Sequence, residues 1–276
     1  MRILTLLVAL MCAVPAFSQT IKVMTYNIRF DNPKDGINAW PNRKQKVVDL
    51  IRKYNPDVLG VQEALHHQLE ELTQALDGYA YIGVGRDDGQ QKGEYSAILY
   101  KTSRFKLLES NTFWLSETPE EPGSKSWDAA ITRVATYGTF SLIDSDFTFF
   151  LANTHFDHIG TGARKQSAEL LMKKLPALSD HHPVILTGDF NCERNDAPYH
   201  VLTKPGEFTL HDPAPEKPEG TFCDFAVGKM TCRAIDYIFF TPHWKSSAYV
   251  VIDDNDGIYY PSDHLPVMVT LNFMEP

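Results

Sequence analysis

Polar residues with reactive side chains stand at the ends of short apolar runs along this chain. Asn27 closes Met24-Thr25-Tyr26-Asn27, Glu63 closes Val61-Gln62-Glu63, and His155 closes Asn153-Thr154-His155. Asp189 and Asn191 follow Val184-Ile185-Leu186-Thr187-Gly188, Asp236 lies in Ala234-Ile235-Asp236-Tyr237, and Asp263-His264 precedes the last apolar run. Strand ends are where folds of strands and helices assemble a pocket. One Asp or Asn at such a place is ordinarily a turn or a cap, so the signal lies in the set. Carboxylates and carboxamides offer hard oxygen donors of the kind that hold Mg²⁺ or Mn²⁺. An imidazole beside an acid supplies proton transfer with a tuned pKa.

The runs that must position these residues alternate between two periods. Ile21 to Ile28 reads as a buried strand, and Arg43 to Tyr54 as a helix with Val47, Val48, Ile51 and Tyr54 on one face. Asp57 to Gln62 reads as a strand, after which Leu65, Leu69, Leu72 and Leu76 recur at helical spacing. Strands are expected over 79–84, 96–100, 105–115, 134–143 and 147–153, the last two joined by a turn at Asp144-Ser145-Asp146. A helix over 163–175 has Ala168, Leu171, Met172 and Leu175 inward. Further strands fall at 183–187, 235–240 and 266–273, and 212–220, rich in Pro and Glu, reads as a surface loop. No repeat or linker interrupts this mixture, which predicts one α/β domain of sheets covered by helices.

Six strings in order, Thr25-Tyr26-Asn27-Ile28, Val61-Gln62-Glu63, Asn153-Thr154-His155, Gly188-Asp189-Phe190-Asn191, Ile235-Asp236-Tyr237 and Ser262-Asp263-His264, resemble the endonuclease/exonuclease/phosphatase superfamily, the fold of deoxyribonuclease I. The resemblance spans residues 19–276 and implies a four-layer α/β (α+β) sandwich: two mixed β-sheets packed face to face, helices outside, the site at one edge. It implies an exported bacterial-type hydrolase that uses Mg²⁺ or Mn²⁺ to drive in-line attack of water on a phosphate ester. In that analogy Glu63 binds the metal, with Asn27 and Asp263 as direct or water-mediated ligands. Asp189 orients or deprotonates the water, and Asn191 holds a phosphate oxygen. His264, paired with Asp236, donates to phosphoryl oxygens or helps activate the water, and His155 donates to a phosphoryl or leaving-group oxygen. Glu94 falls where relatives place a residue near the site and would orient His155. Arg133 is a candidate phosphate binder because a guanidinium matches that geometry. His66 and His67 read as solvated surface residues.

Three other readings compete. Asn153-Thr154-His155-Phe156-Asp157-His158 is one substitution from the His-x-His-x-Asp-His string of metallo-β-lactamase-fold hydrolases, which would place zinc on His155, Asp157 and His158. That reading leaves Glu63, Asp189-Phe190-Asn191 and Asp263-His264 unexplained. A calcineurin-like phosphatase would need an acid where Cys192 stands. A non-catalytic binding module on the same fold would have lost an essential group, and all are present.

Composition narrows the substrate without naming it. Of 276 residues, 43% are hydrophobic and 22% charged, and the formal net charge is −9. A protein that grips long nucleic acid through its phosphates ordinarily shows a basic face, and no basic run is present here. A small or local phosphoester is the expected partner, with no obligate protein partner and a monomer implied. Aromatics at Trp40, Trp114 and Trp127 are candidates to line a substrate groove. Phe113-Trp114-Leu115 and Ile258-Tyr259-Tyr260 are candidate apolar hairpins for a lipid substrate, although core or pocket wall is the commoner fate of such residues.

At the N-terminus, Arg2, an apolar run from Ile3 to Val14 and Ala16-Phe17-Ser18 read as a signal peptide over 1–18, sending the chain to the periplasm or outside the cell. A lipid anchor on Cys12 ranks second. Export leaves Cys192, Cys223 and Cys232, of which the last two could bridge a short turn in an oxidising compartment.

Overall fold

The computed structural model describes residues 19–228 and 230–274; the expected signal segment lies outside the described residues. In chain order the strands are β1 (Thr20–Asn27), β2 (Val58–Ala64), β3 (Tyr79–Ile82), β4 (Tyr95–Lys101), β5 (Phe105–Trp114), β6 (Val134–Leu142), β7 (Thr148–His155), β8 (Val184–Asp189), β9 (Asp236–Phe240), β10 (Trp244–Val251) and β11 (Val267–Phe273). The helices are α1 (Trp40–Tyr54), α2 (His66–Ala75), α3 (Thr161–Leu178) and α4 (Ala197–Leu202), with a 3₁₀ turn over Pro33–Asn38.

Two sheets result, one ordered β10-β11-β1-β2-β4-β3 and the other β5-β6-β7-β8-β9. Only the β1–β2 and β7–β8 pairs are parallel. Period-two alternation sorts each strand between two cores. Ile21 and Val23, Phe149 and Leu151, Ile185, Ile238, Val267 and Val269 meet between the sheets. The alternate residues Met24, Tyr26, Leu59 and Val61 turn outward onto Val47, Ile51 and Leu69 of α1 and α2. On the other side Phe150, Val184, Leu186 and Phe239 pack on Ala168, Leu171 and Leu175 of α3 and on Leu202 of α4. The four-layer α/β arrangement expected from the sequence is the one formed.

Two elements were not legible. β10 is an edge strand with half of its residues exposed and a register shift between Ser247 and Val250, so it lacks the apolar alternation that marks a strand. α4 is a single short turn-rich helix of six residues, below the length at which helical periodicity can be read.

Candidate active site

The interface between the sheets is apolar along most of its length and turns polar at one end. Along β1 the inward residues run Ile21, Val23, Thr25, Asn27, along β7 Phe149, Leu151, Asn153, His155, and along β8 Ile185, Thr187, Asp189. Antiparallel β9 brings Asp236 to the same end, opposite Asp189. A buried floor separates core from site. Asn153 Nδ2 donates to the Val61 and Ala97 carbonyls of the opposite sheet at 2.9 and 2.8 Å, while its Oδ1 accepts from Gln62 Nε2 at 2.6 Å and Thr187 Oγ1 at 3.0 Å. Every polar atom of Asn153 is thus spent on joining the sheets.

Glu63 reaches the site through a bulge. Strand parity would place it with Leu59 and Val61, against the helices. Instead the β2–β4 register shifts between Gln62 and Ala64, Glu63 adopts φ 63°, and Ala64 returns to the helix-side core. A bulge that re-aims one side chain beside a site is a recurrent device. Arg43 of α1 fixes the neighbouring loops, donating to the carbonyls of Ile28, Arg29 and Pro261.

These elements enclose a cleft of about 400 Å³ lined by Glu63, His155, Asp189, Asn191, Asp263 and His264, with Arg29, Glu94, Arg133 and Phe222 among its other walls. Asn27 Nδ2 donates to Glu63 Oε1 and to Asp189 Oδ2, both at 3.0 Å. His155 Nε2 lies 3.3 Å from Asp189 Oδ2 and 3.1 Å from Asn191 Nδ2. His264 turns Nδ1 to Asp236 Oδ2 at 2.8 Å and Nε2 toward Asp189 Oδ2 at 3.7 Å. Arg29 Nη1 stands 3.8 Å from both Glu63 Oε2 and Asp263 Oδ2.

Burial and charge spread the protonation states apart. Burial and the neighbouring Asp236 push the Asp189 carboxyl up to about 7, against the pull of His264. Burial would lower His264, but Asp236 and Asp189 outweigh it and raise the imidazole to about 10. His155 is driven well below the ordinary histidine range by burial and by the guanidiniums of Arg133 and Arg86. Glu63 overcomes its burial and is held below the usual carboxylate range by His264, Asn27 and Arg29. Burial raises Asp263, helped by Glu63.

Asp189, Asp236 and His264 offer ligand atoms within 4.8 Å of one another. The Asp236–His264 hydrogen bond accounts for that closeness, and the same Asp236 oxygen accepts the Thr221 hydroxyl at 2.6 Å. This trio therefore reads as an acid–imidazole pair beside Asp189. Glu63 and Asp263 suit a cation better: two carboxylates facing one gap, already attended by a guanidinium, are the hard oxygen donors that Mg²⁺ or Mn²⁺ takes.

Asn27, Glu63, His155, Asp189, Asn191, Asp236, Asp263 and His264, all singled out in the sequence, come together here. Asn27 Oδ1 accepts from Arg29 N at 3.0 Å, and its amide nitrogen donates to Glu63 and Asp189. One expected role is corrected. Glu94 binds Arg86 through both oxygens, at 2.5 and 2.8 Å, and does not orient His155. Arg29, Arg86, Phe30, Phe222 and Arg233 went unread, because an isolated loop arginine or phenylalanine carries no periodic signal. The zinc string dissolves: Asp157 accepts four backbone N–H groups, from Ala130, Ile131, Ile159 and Gly160. Trp40 and Trp114 are buried, and Trp127 lines a separate groove against α3. Phe113, Trp114 and Leu115 are buried too and form no exposed hairpin. His67 is exposed beside Asp31, and His66 stacks on Tyr95.

Face-to-face mixed sheets with acids, amides and imidazoles gathered at one shared end make a site suited to hydrolysing phosphoester bonds. The chain belongs to the Endonuclease/Exonuclease/phosphatase family, whose pattern it matches over residues 24–264. A family protein of Bacteroides thetaiotaomicron is 38% identical, covers 94% of this chain and 99% of its own, and superposes with a TM-score of 0.88. A mannosyl-6-phosphatase of the same organism is also 38% identical, over 92% of this chain and 100% of its own, with a TM-score of 0.86. Nocturnin of Drosophila melanogaster is 22% identical over 98% of this chain and 49% of its own length. The chain spans 32% to 68% of the length of the first curated relatives it matches.

Proposed function

We propose that this chain hydrolyses a small, sugar-sized phosphate ester outside the cytoplasm, with Mg²⁺ or Mn²⁺ and in-line attack of water on phosphorus. The observation that carries the reading is the convergence of Asp189, His264, His155 and Asn191 with the Glu63–Asp263 carboxylates in one cleft. Glu63 and Asp263 would hold the cation, which when bound would neutralise phosphoryl charge and stabilise the leaving oxygen. Asp189, balanced near neutrality, accepts a proton from the attacking water. His264, kept protonated by Asp236, donates to a phosphoryl oxygen and so is not the base. Neutral His155 and the Asn191 amide orient the reacting group from the opposite side.

The size of the cleft, the negative total charge and the similarity to a mannosyl-6-phosphatase support a small substrate over a long polymer. The Cys223–Cys232 disulfide supports an oxidising compartment, as the N-terminal apolar run does. Mass spectrometry of the exported protein would test this: an N-terminus at Gln19 agrees, and a retained Met1 opposes it.

The activity is tested by assaying sugar phosphates, generic phosphoesters, DNA and RNA with Mg²⁺, Mn²⁺ or EDTA, in wild type and Asp189→Ala. The expected result is turnover lost in EDTA and restored by either cation, and a loss on the order of 10³-fold in the variant with its circular dichroism unchanged. Wild-type rates in Asp189→Ala would remove the mechanism.

A further inference from the structure

Arg133 carries a buried positive charge with no anion within hydrogen-bond distance among the described residues. Its side chain is 5% exposed, and Nε and Nη1 have no hydrogen-bond partner among the described residues. Only Nη2 is engaged, 3.2 Å from His158 Nδ1. A guanidinium can only donate, so His158 accepts there.

Two carboxylates stand near, and both are committed elsewhere. Asp157 Oδ1 accepts from the Ile159 and Gly160 amides and Oδ2 from those of Ala130 and Ile131, leaving Arg133 Nε 3.9 Å away. Glu94 is bound through both oxygens by Arg86. Neighbouring carboxylates offset part of the charge from a distance, but buried donors left without a hydrogen bond still cost about 1–3 kcal/mol each. Arg133 bears that cost on the wall of the cleft it shares with His155, Asp189 and Asn191, where a bound anion would relieve it.

We infer that Arg133 reads the additional negative charge of a phosphomonoester dianion and makes this site prefer monoesters to diesters. The inference rests on the phosphoesterase reading and names the class of ester within it. A monoester offers three non-bridging oxygens that share two charges. A diester offers two, and places a neutral, carbon-bearing oxygen where the third would be. A guanidinium pairs with phosphate oxygens through parallel N–H groups. Against the alkylated oxygen of a diester it would stay unpaired, and the cost of burying it would fall on the complex. Of the three arginines on the cleft wall, Arg29 already faces Glu63 and Asp263 at 3.8 Å and Arg233 is exposed to solvent, so Arg133 is the one whose unpaired donors are buried.

The test uses the whole chain with R133M and R133K. Steady-state rates are measured on p-nitrophenyl phosphate and bis-p-nitrophenyl phosphate with Mg²⁺, and thermal unfolding is followed in EDTA with and without orthophosphate. Wild type should favour the monoester. R133M should lose on the order of 100-fold in monoester kcat/KM while its diester value stays within roughly threefold, and R133K should recover part of the loss. R133M should melt no lower than wild type, because a structural ion pair is not what is being removed, and it should lose the protection that orthophosphate gives wild type.

A wild-type preference for the diester, an equal loss on both esters, or a monoester preference that survives in R133M would each overturn the inference and leave the phosphoesterase reading standing. A large fall in melting temperature in both variants would mark Arg133 as structural and overturn it too. If wild type hydrolyses neither ester, the phosphoesterase reading is what suffers. Orthophosphate then decides the Arg133 assignment: protection confined to wild type supports it, and protection equal in R133M, or absent from wild type, overturns it.

Discussion

His264 Nδ1 meets Asp236 Oδ2 at 2.8 Å, and that oxygen also accepts the Thr221 hydroxyl at 2.6 Å; Asp236 Oδ1 has no partner among the described residues. The carboxylate thus spends its charge on one imidazole, with a hydroxyl fixing its angle. Asp236→Asn keeps the shape and removes the charge, so the cation at His264 loses its counter-ion. The expected loss is on the order of 10³ to 10⁴-fold in kcat, the range seen when the acid of an acid–histidine pair is neutralised, with KM changed far less. Thr221→Val removes the hydroxyl's bond to the carboxylate and the acceptor of the Ile235 and Asp236 amides, and should cost on the order of 10- to 100-fold in kcat. Steady-state kinetics of both variants check this, and an Asp236→Asn effect confined to KM would sink it. This pair was legible in the sequence because an acid and an imidazole at strand ends are conspicuous by type. Arg86 was not. Its backbone carbonyl accepts Trp114 Nε1 at 2.7 Å and its guanidinium binds Glu94, contacts made across loops that follow no helix or strand period.

At the scale of elements, the closeness of the two sheets is set by what they omit. A Cβ on Gly60 would lie 2.2 Å from Thr187 Oγ1 and 2.5 Å from Asn153 Oδ1, inside the polar floor beneath the site. Gly60→Ala should therefore force the sheets apart and break part of that network, at a cost of about 1–3 kcal/mol, read as a lower urea midpoint at unchanged slope. A wild-type midpoint would show that the floor yields without cost. The approach to α3 makes a second case. Burial would raise Asp157, but four backbone N–H groups outweigh it and hold its carboxyl below the ordinary range. A depressed native pKa stabilises the fold above the unfolded value of about 3.9 and ceases to do so as pH falls through the native one. Asp157→Asn should be less stable than wild type at neutral pH, with the difference closing on acidification; urea titrations at several pH values test it, and a gap independent of pH would refute it. Strand and helix positions could be read from apolar period, but the Glu63 bulge could not. Period two puts that residue on the helix side, and only the register of β4 against β2 turns it inward.

For the molecule as a whole, two sheets bury a continuous core between them and a further core under each pair of helices. The Cys223–Cys232 bridge packs with the core between the sheets. Residues around it build one wall of the cleft: Cys223 N donates to the Asp263 carbonyl at 3.0 Å, and Phe222 pairs with both Arg233 and His264. Closing so short a loop contributes about 2–3 kcal/mol, no more than one or two buried core side chains at about 1.5–3 kcal/mol each. The fold should therefore survive without the bridge, whereas the wall should not keep its shape. Cys232→Ser is expected to remain folded at 25 °C, to melt about 4–12 °C lower, and to show KM raised and kcat lowered several-fold, because the loosened wall is paired with Asp263 and His264. Calorimetry and kinetics on the variant, each repeated on reduced wild type, separate the outcomes. Global unfolding would mean that the sheet cores are not self-sufficient. An unchanged KM would mean that the wall is held by its backbone pairing alone, with the bridge serving only to close the loop.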